Sequence, residues 1–160
     1  METFEIIAIC GIIGTIIAPI LAILFQKHLN YGRFNKIDNV RKQAIAGSWN
    51  GDFIQDNKFN DKQIKGTITG KFSTKGKIIN GYMRIENKIH NTNPSFRIKG
   101  GFKMARFLVL DFENEKNEIV QFGKMIMEFS AKADKLTGMF ISYGAETEDV
   151  IKGKVELRKE

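Results

Sequence analysis

From Gly47 onward, apolar and polar residues alternate, a period of two that extended strands satisfy when only one face is buried. Ile64, Gly66, Ile68, Gly70 and Phe72 alternate with Lys65, Thr67, Thr69 and Lys71. Ile79, Gly81, Met83 and Ile85 alternate with Asn80, Tyr82, Arg84 and Glu86. Phe96, Ile98, Gly100, Phe102 and Met104 alternate with Arg97, Lys99 and Lys103, and Ile151, Gly153, Val155 and Leu157 with Lys152, Lys154, Glu156 and Arg158. Further strands are expected over 48–55, 107–113, 118–129 and 136–143. Turn formers separate them: Asp56 and Asn57, Gly76, Asn91 to Pro94, Asn114 to Asn117, Asp134 and Gly144. About eight short strands with one apolar face and no helix must bury that face against itself. An eight-stranded antiparallel barrel is the expected fold, with a sandwich as the alternative. Glycines recurring at inward positions suit the tight bends of barrel corners. Strand register stays open, because a slip of one residue exchanges the two faces.

The first 25 residues have a different character. Residues 6–25 hold 20 consecutive residues without a charge, and a helix of that length spans the roughly 30 Å hydrocarbon core of a bilayer. Pro19 is tolerated in such a helix. Cleavage as a secretory signal is disfavoured, since Glu2 and Glu5 stand where a basic segment belongs and the nearest Ala-x-Ala, at Ala44 to Ala46, lies too far downstream. A retained transmembrane anchor over 1–26 is therefore expected. Ala8, Gly11, Thr15, Ala18 and Ala22 recur at steps of three and four, a small-residue stripe along which a second anchor packs closely. Residues 27–46 form a basic juxtamembrane segment. Across 26–46, Leu29, Phe34, Ile37, Val40 and Ala44 return at helical spacing, which predicts an amphipathic helix beside the headgroups. The barrel domain then occupies 47–160. The basic flank keeps it on the cytoplasmic side of a bacterial inner membrane, with a single pass and the N-terminus outside.

Composition excludes much chemistry. Cys10 is the one cysteine, and His28 and His90 are the two histidines, so neither a thiol site nor a histidine-based metal centre is expected. No carboxylate pair, nucleophile with a neighbouring base or phosphate loop is present, so no catalytic residue, metal ligand or cofactor is assigned and the chain reads as a non-enzyme. The net charge of +7 is unevenly distributed: residues 58–106 carry 12 basic and 2 acidic side chains, and residues 107–160 carry 8 and 11. Arg84, Lys88, Arg97, Lys99, Lys103 and Arg106 fall on adjacent strands or their loops, a positive field in which arginine grips phosphate in a bidentate way. Tyr82, Phe96, Phe102 and Tyr143 offer faces on which a base stacks. The expected ligand-binding set is Tyr82, Arg84, Arg97, Lys103, Arg106 and Tyr143.

Two resemblances carry expectations of their own. Gly47, Ser48 and Trp49 resemble the Gly-x-Trp opening of lipocalin-like barrels, which implies that Trp49 closes one barrel end with Arg158 packed on it. The whole chain, with its anchor, basic segment and minimal barrel, resembles the transmembrane β-barrel effectors of bacterial cyclic-oligonucleotide anti-phage signalling (CBASS). That resemblance implies a cytosolic barrel that binds a cyclic di- or oligonucleotide and drives homo-oligomers that disrupt the inner membrane. In a related defence arrangement the nucleotide instead holds the effector silent. Many such effectors have two membrane spans, whereas one is counted here. The implied partners are the nucleotide, the lipid bilayer and further copies of the chain, and not DNA or RNA. The alternatives are an anchored lipocalin-like carrier of an apolar small molecule and a filled barrel acting as a protein-interaction scaffold.

Overall fold

The computed structural model describes residues 21, 34, 36–56, 63–86, 93–104, 106–144 and 148–160. The chain separates into two compact units, Met1–Arg33 and Phe34–Glu160. In the first unit only Leu21, helical and exposed, is described. The transmembrane run expected over 6–25, with its stripe of Ala8, Gly11, Thr15, Ala18 and Ala22, lies outside the described residues. Among the described residues no helix is long and apolar enough to cross a membrane.

The second unit begins with a short strap. Asp38 accepts a hydrogen bond from the Arg41 amide at 2.7 Å and starts helix α1, Asn39–Ile45. The amphipathic helix expected across 26–46 is corrected here, because residues 36–38 are not helical and Asp38 is in extended conformation. Its apolar face is redistributed as well. Ile37 and Ile45 are buried in the barrel core, while Val40 is exposed. The strap thus packs with the barrel instead of forming a separate linker.

Eight strands follow: β1 (Gly47–Gln55), β2 (Ile64–Lys75), β3 (Ile78–Glu86), β4 (Ser95–Lys103), β5 (Phe107–Asn114), β6 (Phe122–Phe129), β7 (Lys135–Gly144) and β8 (Asp149–Lys159). Each pairs antiparallel with the next, and β1 pairs with β8, so the sheet is a closed barrel and the sandwich alternative falls. Closure removes the unpaired edges that an open sheet would expose. The strand expected from 118 begins only at Phe122. Residues 115–121 form a hairpin loop, closed by the Asn114 amide on the Gln121 carbonyl at 2.8 Å. Between β2 and β3 the turn is two residues, Gly76 and Lys77. Gly76 lies at φ +63°, the sign that a primed hairpin turn requires at its first central position.

Alternation sets the inside. Trp49, Phe72, Phe102, Phe129 and Leu157 gather near one end, and Phe53, Phe96, Phe112 and Phe140 near the other. Inward glycines let the strands bend sharply enough to close. A Cβ at Gly100 would fall on the Val109 carbonyl oxygen, and one at Gly138 on the Ile126 carbonyl oxygen. These bends hold the outward side chains in a fixed register from strand to strand.

Candidate ligand-binding site

The two ends of the barrel differ. At the first, Trp49 is fully buried and its indole donates to the Ile45 carbonyl at 2.9 Å, tying β1 to the end of α1. Phe72 and Phe129 flank the indole at 6.1 and 6.2 Å between centroids. Arg158 does not pack on it. Its side chain points outward and binds Glu156 at 3.1 Å, which corrects the role implied for it. The reason is register: Trp49 lies opposite Lys159, so the inward side chain is the next one along. The Lys159 ammonium donates to the carbonyls of Gln43 at 2.9 Å and Ala44 at 2.7 Å, capping the C-terminal end of α1.

The other end is lined by polar groups inside an apolar ring. Asn114 and Ser142 are buried. Asn114 donates to Gln121 Oε1 at 3.2 Å and accepts from the Lys116 amide at 2.9 Å, while the Ser142 hydroxyl donates to the Phe122 carbonyl at 3.1 Å. Nearby, Phe96 meets Phe112 edge-on at 5.5 Å and Phe53 meets Phe140 at 6.5 Å. Phe96 and Phe102 are therefore core residues, on the opposite face of β4 from its cations.

Most of the charge expected at a ligand site stands on the outer face. Across β2, β3 and β4 the outward side chains include Lys65, Lys71, Lys75, Arg84, Arg97, Lys99 and Lys103 against Glu86 alone, seven cations to one carboxylate. Register sets Lys71, Tyr82 and Arg97 side by side in one row, with Thr69, Arg84 and Ser95 in the next. Tyr82 is exposed between two cations. Arg97 reaches Glu113 at 3.4 Å and Asn117 Oδ1 at 3.4 Å, both toward β5. An open pocket of about 380 Å3 adjoins this face on β1 and β2, lined by Asp52, Phe53, Ile54, Lys65, Gly66 and Thr67.

The expected set is only partly brought together. Tyr82, Arg84 and Arg97 are neighbours. Lys103 lies six residues further along β4, roughly 20 Å away, and its ammonium stands 6.0 Å from the centre of the Phe34 ring. Phe34 itself is seated on Gly101, where a Cβ would come within 2.7 Å of the ring. Arg106 sits in the turn after β4 and pairs with Glu128. Tyr143 is on β7, on the far side of an eight-stranded barrel from β3, stacked on Phe122 at 5.9 Å. Three of the six thus share one outer face, and the other three stand apart from it. Sequence reasoning passed over Lys71 and Lys159. Lys71 was readable from the β2 alternation, whereas Lys159 needed the β1–β8 register.

Lys135, and then Arg158, bind Glu156 and hold its carboxyl below the usual range; a hydrogen bond from Ser130 does the same for Asp134. Among the described residues no three His, Cys, Asp or Glu side chains gather as a metal-ligand group. Arginines beside a tyrosine on a rigid sheet suit electrostatic binding and base stacking.

No family model and no curated protein matches the chain. Solved structures do share its fold. EF1p2_mFAP2b bound to DFHBI aligns with a TM-score of 0.59 at 10% identity, covering 77% of this chain and 100% of that one. A redesigned β-barrel, mFAP1, bound to DFHBI aligns with a TM-score of 0.57 at 10% identity, covering 74% and 98%. At that identity the likeness concerns the fold, and the chain carries a closed eight-stranded antiparallel β-barrel.

Proposed function

We propose that the chain is a membrane-anchored anti-phage defence effector whose cytoplasmic barrel senses a cyclic dinucleotide and controls oligomerisation and inner-membrane disruption. The row Lys71, Tyr82 and Arg97, with Arg84 beside it, carries this reading. A cyclic dinucleotide presents two phosphates and two flat bases, and this face offers cations and an exposed aromatic ring at adjacent positions. The interior is the poorer host, because a phosphate among Phe96, Phe112 and Met83 would be desolvated without a counter-charge, at a cost of several kcal/mol. Arg97 already leans on Glu113, so a phosphate has to compete with that carboxylate. The uncharged run over 6–25 and the cations that follow it support anchorage with the barrel inside. Ligand then shifts the assembly by its differential affinity for the associated and dispersed states.

Calorimetry of the full chain in nanodiscs, titrated with cyclic di- and trinucleotides, tests the nucleotide half. Replacing Arg84→Gln or Arg97→Gln should weaken binding about 10- to 100-fold each, the range expected for one charge-assisted hydrogen bond. Absence of binding at high micromolar ligand removes that half. Gly11→Leu with Ala18→Leu should abolish toxicity in cells if anchors pack along the small-residue stripe; undiminished toxicity counts against it.

A second reading, an anchored carrier of an apolar small molecule in a lipocalin-like barrel, draws support from the two solved barrels bound to DFHBI and from the aromatic rings near the polar end. It expects a C-terminal reporter outside the cytoplasm, and ligand retention indifferent to Arg97→Gln.

A further inference from the structure

The face opposite the cationic cluster has a composition of its own. On β6, β7 and β8 the register aligns nine outward positions in three rows: Phe122, Tyr143 and Val150; Lys124, Ile141 and Lys152; Ile126, Met139 and Lys154. Six are apolar or aromatic, three are lysine and none is acidic. Phe122, Ile126, Met139, Ile141 and Val150 keep between 48% and 56% of their surface exposed. Soluble surfaces scatter such residues singly, and a contiguous group marks a contact. Carboxylates border it: Glu128 and Glu156 flank Thr137 in the next outward row, paired with Arg106 and with Lys135 and Arg158, while Asp111 on β5 binds Lys124 at 2.6 Å and Asp56 stands 4.0 Å from Lys152.

We propose that this β6–β8 face docks on an anionic lipid surface, its apolar side chains entering the headgroup region and Lys124, Lys152 and Lys154 meeting lipid phosphates. The proposal rests on the membrane-attached reading and adds the face on which the barrel lies. Two observations select lipid over a second copy. The grid covers on the order of 300 Å2 at ordinary strand spacing, well under the roughly 800 Å2 that a stable protein pair buries on each side. A two-fold pairing of this face would also bring lysines together, whereas interleaved lysine and apolar side chains suit an acidic interface. Docked this way, the barrel turns Tyr82, Arg84 and Arg97 toward the aqueous phase.

The test uses the full chain with Cys10→Ser and an environment-sensitive fluorophore on Met139→Cys, or on Thr69→Cys as the opposite-face control. Each is mixed with phosphatidylcholine vesicles containing doxyl-labelled lipid, with and without phosphatidylglycerol, and vesicle flotation is scored in parallel. The Met139 probe should be quenched, more so with phosphatidylglycerol, and the Thr69 probe should not. Lys152→Gln with Lys154→Gln should lower the docking equilibrium constant about 25-fold, at about fivefold for each lysine. Flotation without Met139 quenching overturns the docking and leaves anchorage standing. Equal quenching of both probes, or self-quenching between Met139 probes in place of lipid quenching, also overturns it, the latter in favour of a second copy. A chain that does not float overturns docking and anchorage together.

Discussion

The two ends of the barrel use the same fold for opposite purposes. At the α1 end, rings stack inward, the indole of Trp49 is hydrogen-bonded to the Ile45 carbonyl, and Lys159 closes those of Gln43 and Ala44. At the other end, buried Asn114 and Ser142 satisfy loop and strand backbone, and Phe140 is only half-buried. One end is a sealed core in which packing supplies most of the stabilisation. The other is a rim where hydrogen bonds to backbone hold the loop, so it can change shape with less loss of buried apolar surface.

That contrast is broken most directly at Trp49. Trp49→Ala should lower stability by about 3–5 kcal/mol, against about 1–2 kcal/mol for Phe140→Ala, because the second ring is only partly buried; equal values in denaturant unfolding would erase the distinction between the ends. Next in size is Lys159→Met, which keeps the stem but leaves the Gln43 and Ala44 carbonyls without their cation, a loss of about 1.5–3 kcal/mol. Arg158→Met should stay within about 0.5 kcal/mol, and the reverse order would reinstate Arg158 as the closing residue. At the rim, Asn114→Ala should cost about 1 kcal/mol and speed hydrogen exchange at the Lys116 amide without altering that of Trp49. The smallest effect is on pH. Glu156 and Asp134 have carboxyls held below their ordinary values by Lys135 and Ser130. Their contribution is present above the unfolded carboxylate range and fades as pH falls through the lowered folded values. Glu156→Gln with Asp134→Asn should therefore flatten the acid limb of a stability–pH curve by slightly lowering its neutral plateau, leaving the most acidic end unchanged.

Much of the barrel was legible because alternation is a local signal: β2, β3, β4 and β8 were readable residue by residue, with inward glycines among them. What escaped depends on contacts distant in sequence. Trp49 faces Lys159 rather than Arg158 only because of the β1–β8 register. The helix expected across 26–46 was misplaced because Asp38 captures the Arg41 amide and the barrel draws Ile37 and Ile45 inward. At the candidate site, Tyr82, Arg84 and Arg97 were readable as outward neighbours. Lys103, Arg106 and Tyr143 were not separable from them until the strand order was known. The β6–β8 face was obscured for another reason: Met125, Ile126 and Met127 are all apolar, so alternation fails where both faces of a strand are hydrophobic.

The pairing of β1 with β8 also governs when the domain can exist during synthesis. A ribosome that has not yet passed Lys159 holds a seven-stranded sheet with two free edges, its tryptophan end lacking the lysine that fastens the helix. For that interval the nascent chain is a sticky intermediate, and only the arrival of β8 converts it into a closed barrel.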